Sequence, residues 1–302
     1  MHPGMTQFHG YLAEEVAVDF GDGIITRREA LRRLGLLGVG GVAASSLLAA
    51  CSSDGGDSLT PAPATGSPSA PAPAGLPTEA VTFAGPGGRT LQAAWAAASE
   101  PRGTVLVVHE NRGLTDHIRS VAGRLAASGF SALAIDLLSA EGGTASFADS
   151  AAATAALNAA PDERFVADMK AGIDELVRRE PDQKPGAVGF CFGGGMVWTL
   201  LAAGEPRLAA AAPFYGPLPD GADFAGSRNA AVLGVYAEND SRVNASRDAA
   251  RAALERANLT HEIVTVPGVG HAFFNDTGAR YDAAAAATIY EQLLAWFTEH
   301  MR

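Results

Sequence analysis

From residue 104 onwards, short apolar runs alternate with longer helical stretches, and that alternation confines the chain to a narrow set of folds. The runs fall at 104–109, 132–136, 187–190, 209–214, 231–237 and 262–266. They are apolar at nearly every position rather than at every second one, as in strands buried on both faces of a parallel sheet. Helical sequence separates them over 115–127, much of 147–179, 193–203 and 245–257. Parallel neighbours need crossover connections, which lay helices on both faces of the sheet. An opening hairpin is predicted from 80–84 and 91–97, around Gly85-Pro86-Gly87-Gly88. In the last helix Ile289, Leu293, Trp296 and Phe297 share one face, which is expected to pack on the sheet. The fold class is therefore α/β, with a mostly parallel sheet covered on both sides.

The region ahead of this alternation reads as address and tether. Arg27-Arg28 precedes an uncharged, Gly- and Ala-rich stretch over 34–50, too short and weakly apolar for a stable membrane span. A basic pair, an apolar run and a small-residue exit resemble the signal of the twin-arginine export route, which carries folded proteins. The run closes on Leu48-Ala49-Ala50-Cys51, which resembles a bacterial lipobox in which Cys51 would be lipidated. Residues 1–51 are thus assigned to a signal, and the expected location is extracytoplasmic, held to the cell membrane by a lipid anchor. Residues 52–77 are almost entirely Ser, Gly, Ala, Pro, Thr and Asp, a composition that cannot bury enough apolar surface to offset ordering, so a flexible linker is expected. Residues 78–302 remain for one domain.

The formal charge of −11, from 22 Lys and Arg against 33 Asp and Glu, repels phosphate backbones and argues against a nucleic-acid partner. Cys51 and Cys191 are the only cysteines, and each sits in its own context, so no disulfide is expected. A lone cysteine is usually an apolar filler. The surroundings of Cys191 argue otherwise.

Gly189-Phe190-Cys191-Phe192-Gly193 lies between a strand and a helix and has the form of a nucleophile elbow with Cys in place of Ser. The flanking glycines permit a turn too tight for side chains, which lifts the central residue above the sheet edge at a helix N-terminus. That position is expected to present an open, acidified thiol and to stabilise an oxyanion. A thiol nucleophile needs a base, and the base an orienting acid. His271, in the loop after the last strand, is the candidate base. His261 starts a strand on the far side, and His300 lies on the terminal helix. Asp240, just beyond the preceding strand, is the candidate acid, with Glu238 as the fallback and Asp248 a helix-surface charge. Glu110 follows the 104–109 strand on the same rim, where by itself it reads as a solvated loop acid.

Taken together, Val108-His109-Glu110-Asn111-Arg112-Gly113-Leu114, Ala134-Ile135-Asp136-Leu137, Gly189-Phe190-Cys191-Phe192-Gly193-Gly194, Asp240 with Val243, and Gly270-His271-Ala272-Phe273 resemble the dienelactone hydrolase family of the α/β-hydrolase fold. The resemblance covers the chain from about Val81 to the C-terminus. It implies cleavage of small ester or lactone bonds by a Cys191–His271–Asp240 triad, with Glu110 helping to generate the thiolate. The backbone N–H groups of Phe192 and Asn111 would form the oxyanion hole. No metal or organic cofactor is implied, and a monomer is expected. Leu138, Ala272 and Asn275 stand where characterised members carry tyrosine, serine and a substrate-binding arginine, which points away from dienelactone itself. The competing reading is a catalytically weak surface lipoprotein that binds a small ligand or protein.

Overall fold

The computed structural model describes residues 8–51 and 74–302. After three N-terminal helices, α1 (Phe8–Gly21), α2 (Arg27–Leu36) and α3 (Gly41–Cys51), the chain enters the hairpin β1 (Glu79–Ala84) and β2 (Thr90–Ala96). It then alternates through β3 (Thr104–Val108), α4 (Asp116–Ala127), β4 (Ser131–Asp136), α5 (Ser150–Ala159), α6 (Asp162–Arg179), β5 (Pro185–Phe190), α7 (Phe192–Ala202) and β6 (Ala210–Phe214). The remainder comprises β7 (Ala231–Ala237), α8 (Ser241–Asn244), α9 (Arg247–Arg256), β8 (His261–Val266) and α10 (Ala283–His300).

The eight strands form one sheet in the order β1-β2-β4-β3-β5-β6-β7-β8. The β1–β2 and β2–β4 pairs are antiparallel and all others parallel, as the apolar runs predict. Every residue of β3, β4, β5, β6 and β7 is buried. Ile289, Leu293 and Phe297 of α10 are buried and Trp296 partly so, matching the face expected of that helix. The helical sequence over 147–179 breaks into α5 and α6 at Pro161, which has no N–H to continue the first helix and instead caps the second. The 245–257 stretch forms α9, and the separate short helix α8 precedes it.

The stretch assigned to a signal is folded onto the domain. Thr26 caps α2 by accepting from the Glu29 N–H at 3.3 Å, immediately ahead of Arg27-Arg28. The uncharged stretch is not one helix, because α2 ends at Leu36 and Gly38 turns left-handed at φ 77° before α3 begins. Among the described residues no helix is long and apolar enough to cross a membrane. Helix α1 packs against α2, α3 and α5, with Tyr11, Leu12, Ala13, Val16 and Ala17 buried. Most of the expected linker, residues 52–73, lies outside the described residues, as does the Cys51 side chain.

Candidate active site

Cys191 sits at φ 56° and ψ −120°, a conformation that costs a non-glycine residue about 1–3 kcal/mol and persists only where packing enforces it. The enforcement is visible atom by atom. A Cβ on Gly189 would lie 2.1 Å from the Gly193 carbonyl oxygen, and one on Gly193 would lie 2.3 Å from the Val108 oxygen. One on Gly194 would meet the Phe214 oxygen at 2.3 Å. Strand β5 and helix α7 can therefore approach only through glycine. The turn is also pinned by the Cys191 N–H, which donates to the Phe214 carbonyl at 3.1 Å.

The loops after β7 and β8 bring the expected partners to this turn. His271 Nδ1 lies 2.6 Å from Asp240 Oδ2, and both side chains are buried. Asp240 also caps α8, accepting from the Val243 N–H at 3.3 Å. Burial works to raise the Asp240 pKa, but the hydrogen bond and charge of His271 and the charge of Arg242 together hold it below the usual carboxylate range. A carboxylate depressed in this way contributes stability above its unfolded pKa of about 4, and loses it as pH falls through the lower folded value. Ligand-type atoms of Cys191 and His271 lie within 4.8 Å of each other. The other histidines and acids stay away. His261 opens β8 with Nδ1 2.8 Å from the Leu259 carbonyl, and His300 packs against Trp296. Glu238 accepts from the Gly268 N–H at 2.7 Å, bracing the loop that carries His271, and Asp248 is a 91% exposed helix-surface charge.

Glu110 is not the solvated acid its position alone suggests. It is buried and lines a cavity of about 220 Å³ together with Cys191, Asn111 and Arg112. Burial pushes its carboxyl up, while the charges of His117 and Arg112 pull it down. Asn275 donates to Glu110 Oε2 at 2.6 Å and accepts from the Thr277 N–H and hydroxyl. The position that looked like a lost arginine thus orients a buried acid. The adjacent His109 accepts at Nε2 from the Leu137 N–H at 3.1 Å, so its Nδ1 donates to the Glu110 carbonyl at 2.6 Å and fixes the backbone of that loop. Replacing Asn275 by Ala leaves a buried carboxylate oxygen without its donor. The expected cost is about 1–3 kcal/mol, read from the urea midpoint, and the loss should shrink as pH is lowered and Glu110 takes up a proton.

Contrary to the open thiol expected from the sequence, Cys191 is only 2% exposed, because helix α1 covers it. The Tyr11 hydroxyl lies 3.4 Å from both Cys191 Sγ and His271 Nε2. The thiol donates to the two Glu15 carboxylate oxygens at 3.3 and 3.5 Å. Nor is the thiol acidified. Burial, reinforced by the negative charges of Glu15 and Glu110, pushes it well above its ordinary value. A helix terminus favours a nearby charge by at most about 2 kcal/mol, whereas full burial shifts a pKa by as much as 3–5 units, so burial decides. Glu15, Cys191 and His271 together place three metal-ligand types within 4.8 Å of one another, but Cys191 and His271 belong to the elbow and the candidate base.

A sequence model of the dienelactone hydrolase family matches residues 91–301, a stretch that excludes α1, α2 and α3. A protein of Escherichia coli K12 described as a carboxymethylenebutenolidase is 35% identical over 212 residues, covering 66% of this chain and 78% of the relative. Another with the same description, from Methylorubrum extorquens AM1, is 30% identical over 217 residues and covers 68% and 74%. Among solved structures, one described as a dienelactone hydrolase of Klebsiella pneumoniae superposes with a TM-score of 0.64 at 32% identity, covering 74% of this chain and 99% of the other. A dienelactone hydrolase-like promiscuous phosphotriesterase from metagenomic libraries superposes at 0.66 with 27% identity, covering 76% and 100%.

Proposed function

Because the chain belongs to the dienelactone hydrolase family, we propose that it hydrolyses small carboxylic esters or lactones through a Cys191–His271–Asp240 triad, with Glu110 as a second proton carrier. The observation that carries this reading is the line of contacts at the elbow. Asp240 holds Nδ1 of His271, which leaves Nε2 on the side of the sulfur that the strained turn presents, with the Tyr11 hydroxyl 3.4 Å from both.

The protons can be followed through a complete cycle. A charged Glu110 raises the thiol pKa, so it can favour the thiolate only by accepting the thiol proton and becoming neutral, a step its own burial assists. The Cys191 thiolate then attacks the carbonyl carbon, and the oxyanion lies against the backbone N–H groups of Phe192 and Asn111. Collapse breaks the bond to the leaving oxygen and forms a thioester. His271 takes a proton from water and passes it to that oxygen, and Asp240 stabilises the transient imidazolium. The hydroxide attacks the thioester, the acid departs, and the expelled thiolate recovers its proton from Glu110. One water is consumed, giving one acid and one alcohol.

Export by way of Arg27-Arg28, with a lipid anchor at Cys51, is part of the same proposal. Its support is the order of basic pair, apolar stretch and Leu48-Ala49-Ala50-Cys51. The catalytic part is tested by hydrolysis of p-nitrophenyl acetate and simple lactones by the full chain and by a Tyr11→Ala/Glu15→Ala chain. Asp240→Asn in the Tyr11→Ala/Glu15→Ala background should lower kcat by roughly 10²–10⁴-fold, since the imidazole loses its orienting charge and tautomer. An unchanged rate would remove Asp240 from the mechanism.

A further inference from the structure

Helix α1 meets the catalytic rim through two charged clamps and one buried polar contact. At its first turn, Arg242 donates to the Tyr11 carbonyl at 2.8 Å, and its guanidinium lies 4.3 Å from the centre of the Tyr11 ring. In its last turn and just beyond it, Arg280 donates to Asp19 at 3.0 Å and to Asp22 at 2.8 Å. Between the clamps, Tyr11 and Glu15 reach the sulfur and the imidazole. The rim thus offers Arg112, Arg242 and Arg280 to a helix that carries Glu15, Asp19 and Asp22. Cavities of about 460 and 220 Å³ flank α1, and both are lined by Ala279 and Arg280 on the rim. One also takes in Val18 and Asp22 and the other Glu15 and Asp19, so the helix itself divides the crevice.

We propose that the catalytic rim is a docking surface for an acidic, tyrosine-bearing helix, and that residues 8–22 of this chain occupy it as an internal inhibitor. The hydroxyl stands between nucleophile and base, and the carboxylate holds the thiol proton, so no ester carbonyl can approach the sulfur. Residues 8–50 also lie within the segment that processing ahead of Cys51 would remove. Hydrolysis of the Ala50–Cys51 peptide bond by a signal peptidase, adding one water, would separate the inhibitor from residues 78–302. Latency before export and activity after it then follow from one cut. The consequence for activity rests on the catalytic reading of Cys191; the docking itself does not.

The two are separated by measuring thiol access and hydrolysis independently on the full chain. Iodoacetamide labelling is read by mass on the peptide that contains Cys191, so that Cys51 does not contribute. Tyr11→Ala/Glu15→Ala and Asp19→Lys/Asp22→Lys should each label roughly tenfold or more faster than wild type at neutral pH. Adding Arg280→Glu to the second should return labelling to near the wild-type rate, because the reversed charges pair again. That rescue distinguishes a specific dock from general loosening. In Glu15→Gln the labelling profile should also move to lower pH, since a negative charge beside the sulfur is gone. Labelling that rises without any hydrolysis supports the dock and removes the hydrolase reading. Wild-type labelling as fast as that of the variants, wild-type hydrolysis equal to theirs, or a triple variant that stays fast would each overturn the proposal.

Discussion

Cys191→Ala is expected to reduce ester hydrolysis in the Tyr11→Ala/Glu15→Ala background to the level of buffer, a loss on the order of 10³-fold or more in kcat. No neighbouring group can substitute for the sulfur. Among the described residues the elbow is where a thiol is held at positive φ close to a histidine already oriented by a carboxylate. The substitution also removes little packing, since Ala keeps the Cβ, so the stability read from the urea midpoint should change by about 1 kcal/mol or less and the loss should appear in kcat. Cys191→Ser is the sharper comparison. It preserves shape and a donor, but a hydroxyl ionises far less readily than a thiol, and Glu110 is a weak acceptor for its proton. It should retain a trace of activity at most. If Cys191→Ala hydrolyses esters as fast as its parent, the sulfur is not the nucleophile and the mechanism falls.

The elbow was legible in the sequence because its constraint is local. Glycines two residues either side of Cys191, between an apolar strand and a helix, state a steric requirement that the chain carries wherever it folds. His271 and Asp240 were legible for a similar reason, since each follows a strand whose direction the parallel sheet dictates. Glu110 was harder. Its own neighbours suggest a solvated acid, and only the family resemblance moved it into the site; its buried carboxylate accepts from Asn275, which is 165 residues away. Helix α1 was not legible as part of the site at all. Tyr11 and Glu15 lie 180 and 176 residues from Cys191, and nothing in a short run of apolar and acidic residues says what they will touch. The motifs proposed as export signals in that region, Arg27-Arg28 and the lipobox-like Leu48–Cys51, would describe only an address, and a segment that carried one could still fold against the domain it accompanies. The same omission explains the misjudged thiol. A helix N-terminus acidifies a cysteine that faces solvent, but here a second helix removes the solvent, and desolvation outweighs the dipole.

Gly189→Ala is the substitution expected to do most damage to the fold for the fewest atoms added. Its Cβ would lie 2.1 Å from the Gly193 oxygen and 2.4 Å from the Gly193 carbonyl carbon, with Val197 Cγ2 at 2.9 Å. The first two are backbone of the first turn of α7 and cannot swing aside as a side chain end could. Strand β5 cannot retreat either, because it pairs with β3 on one side and β6 on the other, residue by residue through Gly189 itself. The clash must be relieved by lifting α7 from the sheet, which opens its buried Met196, Val197 and Leu200 to looser packing. A destabilisation of roughly 3 kcal/mol or more is expected, seen as a lowered urea midpoint with an unchanged slope. Any folded fraction should also lose activity, because the same movement drags Cys191 and the Phe192 N–H away from His271. Gly270→Ala is the matched control. It lies beside the proposed base, its nearest neighbour is Arg280 Cδ at 4.0 Å, and its φ is not positive, so both stability and rate should stay close to wild type. If Gly189→Ala unfolds within about 0.5 kcal/mol of wild type, strand and helix do not meet through glycine, and the strained turn cannot be what presents the thiol.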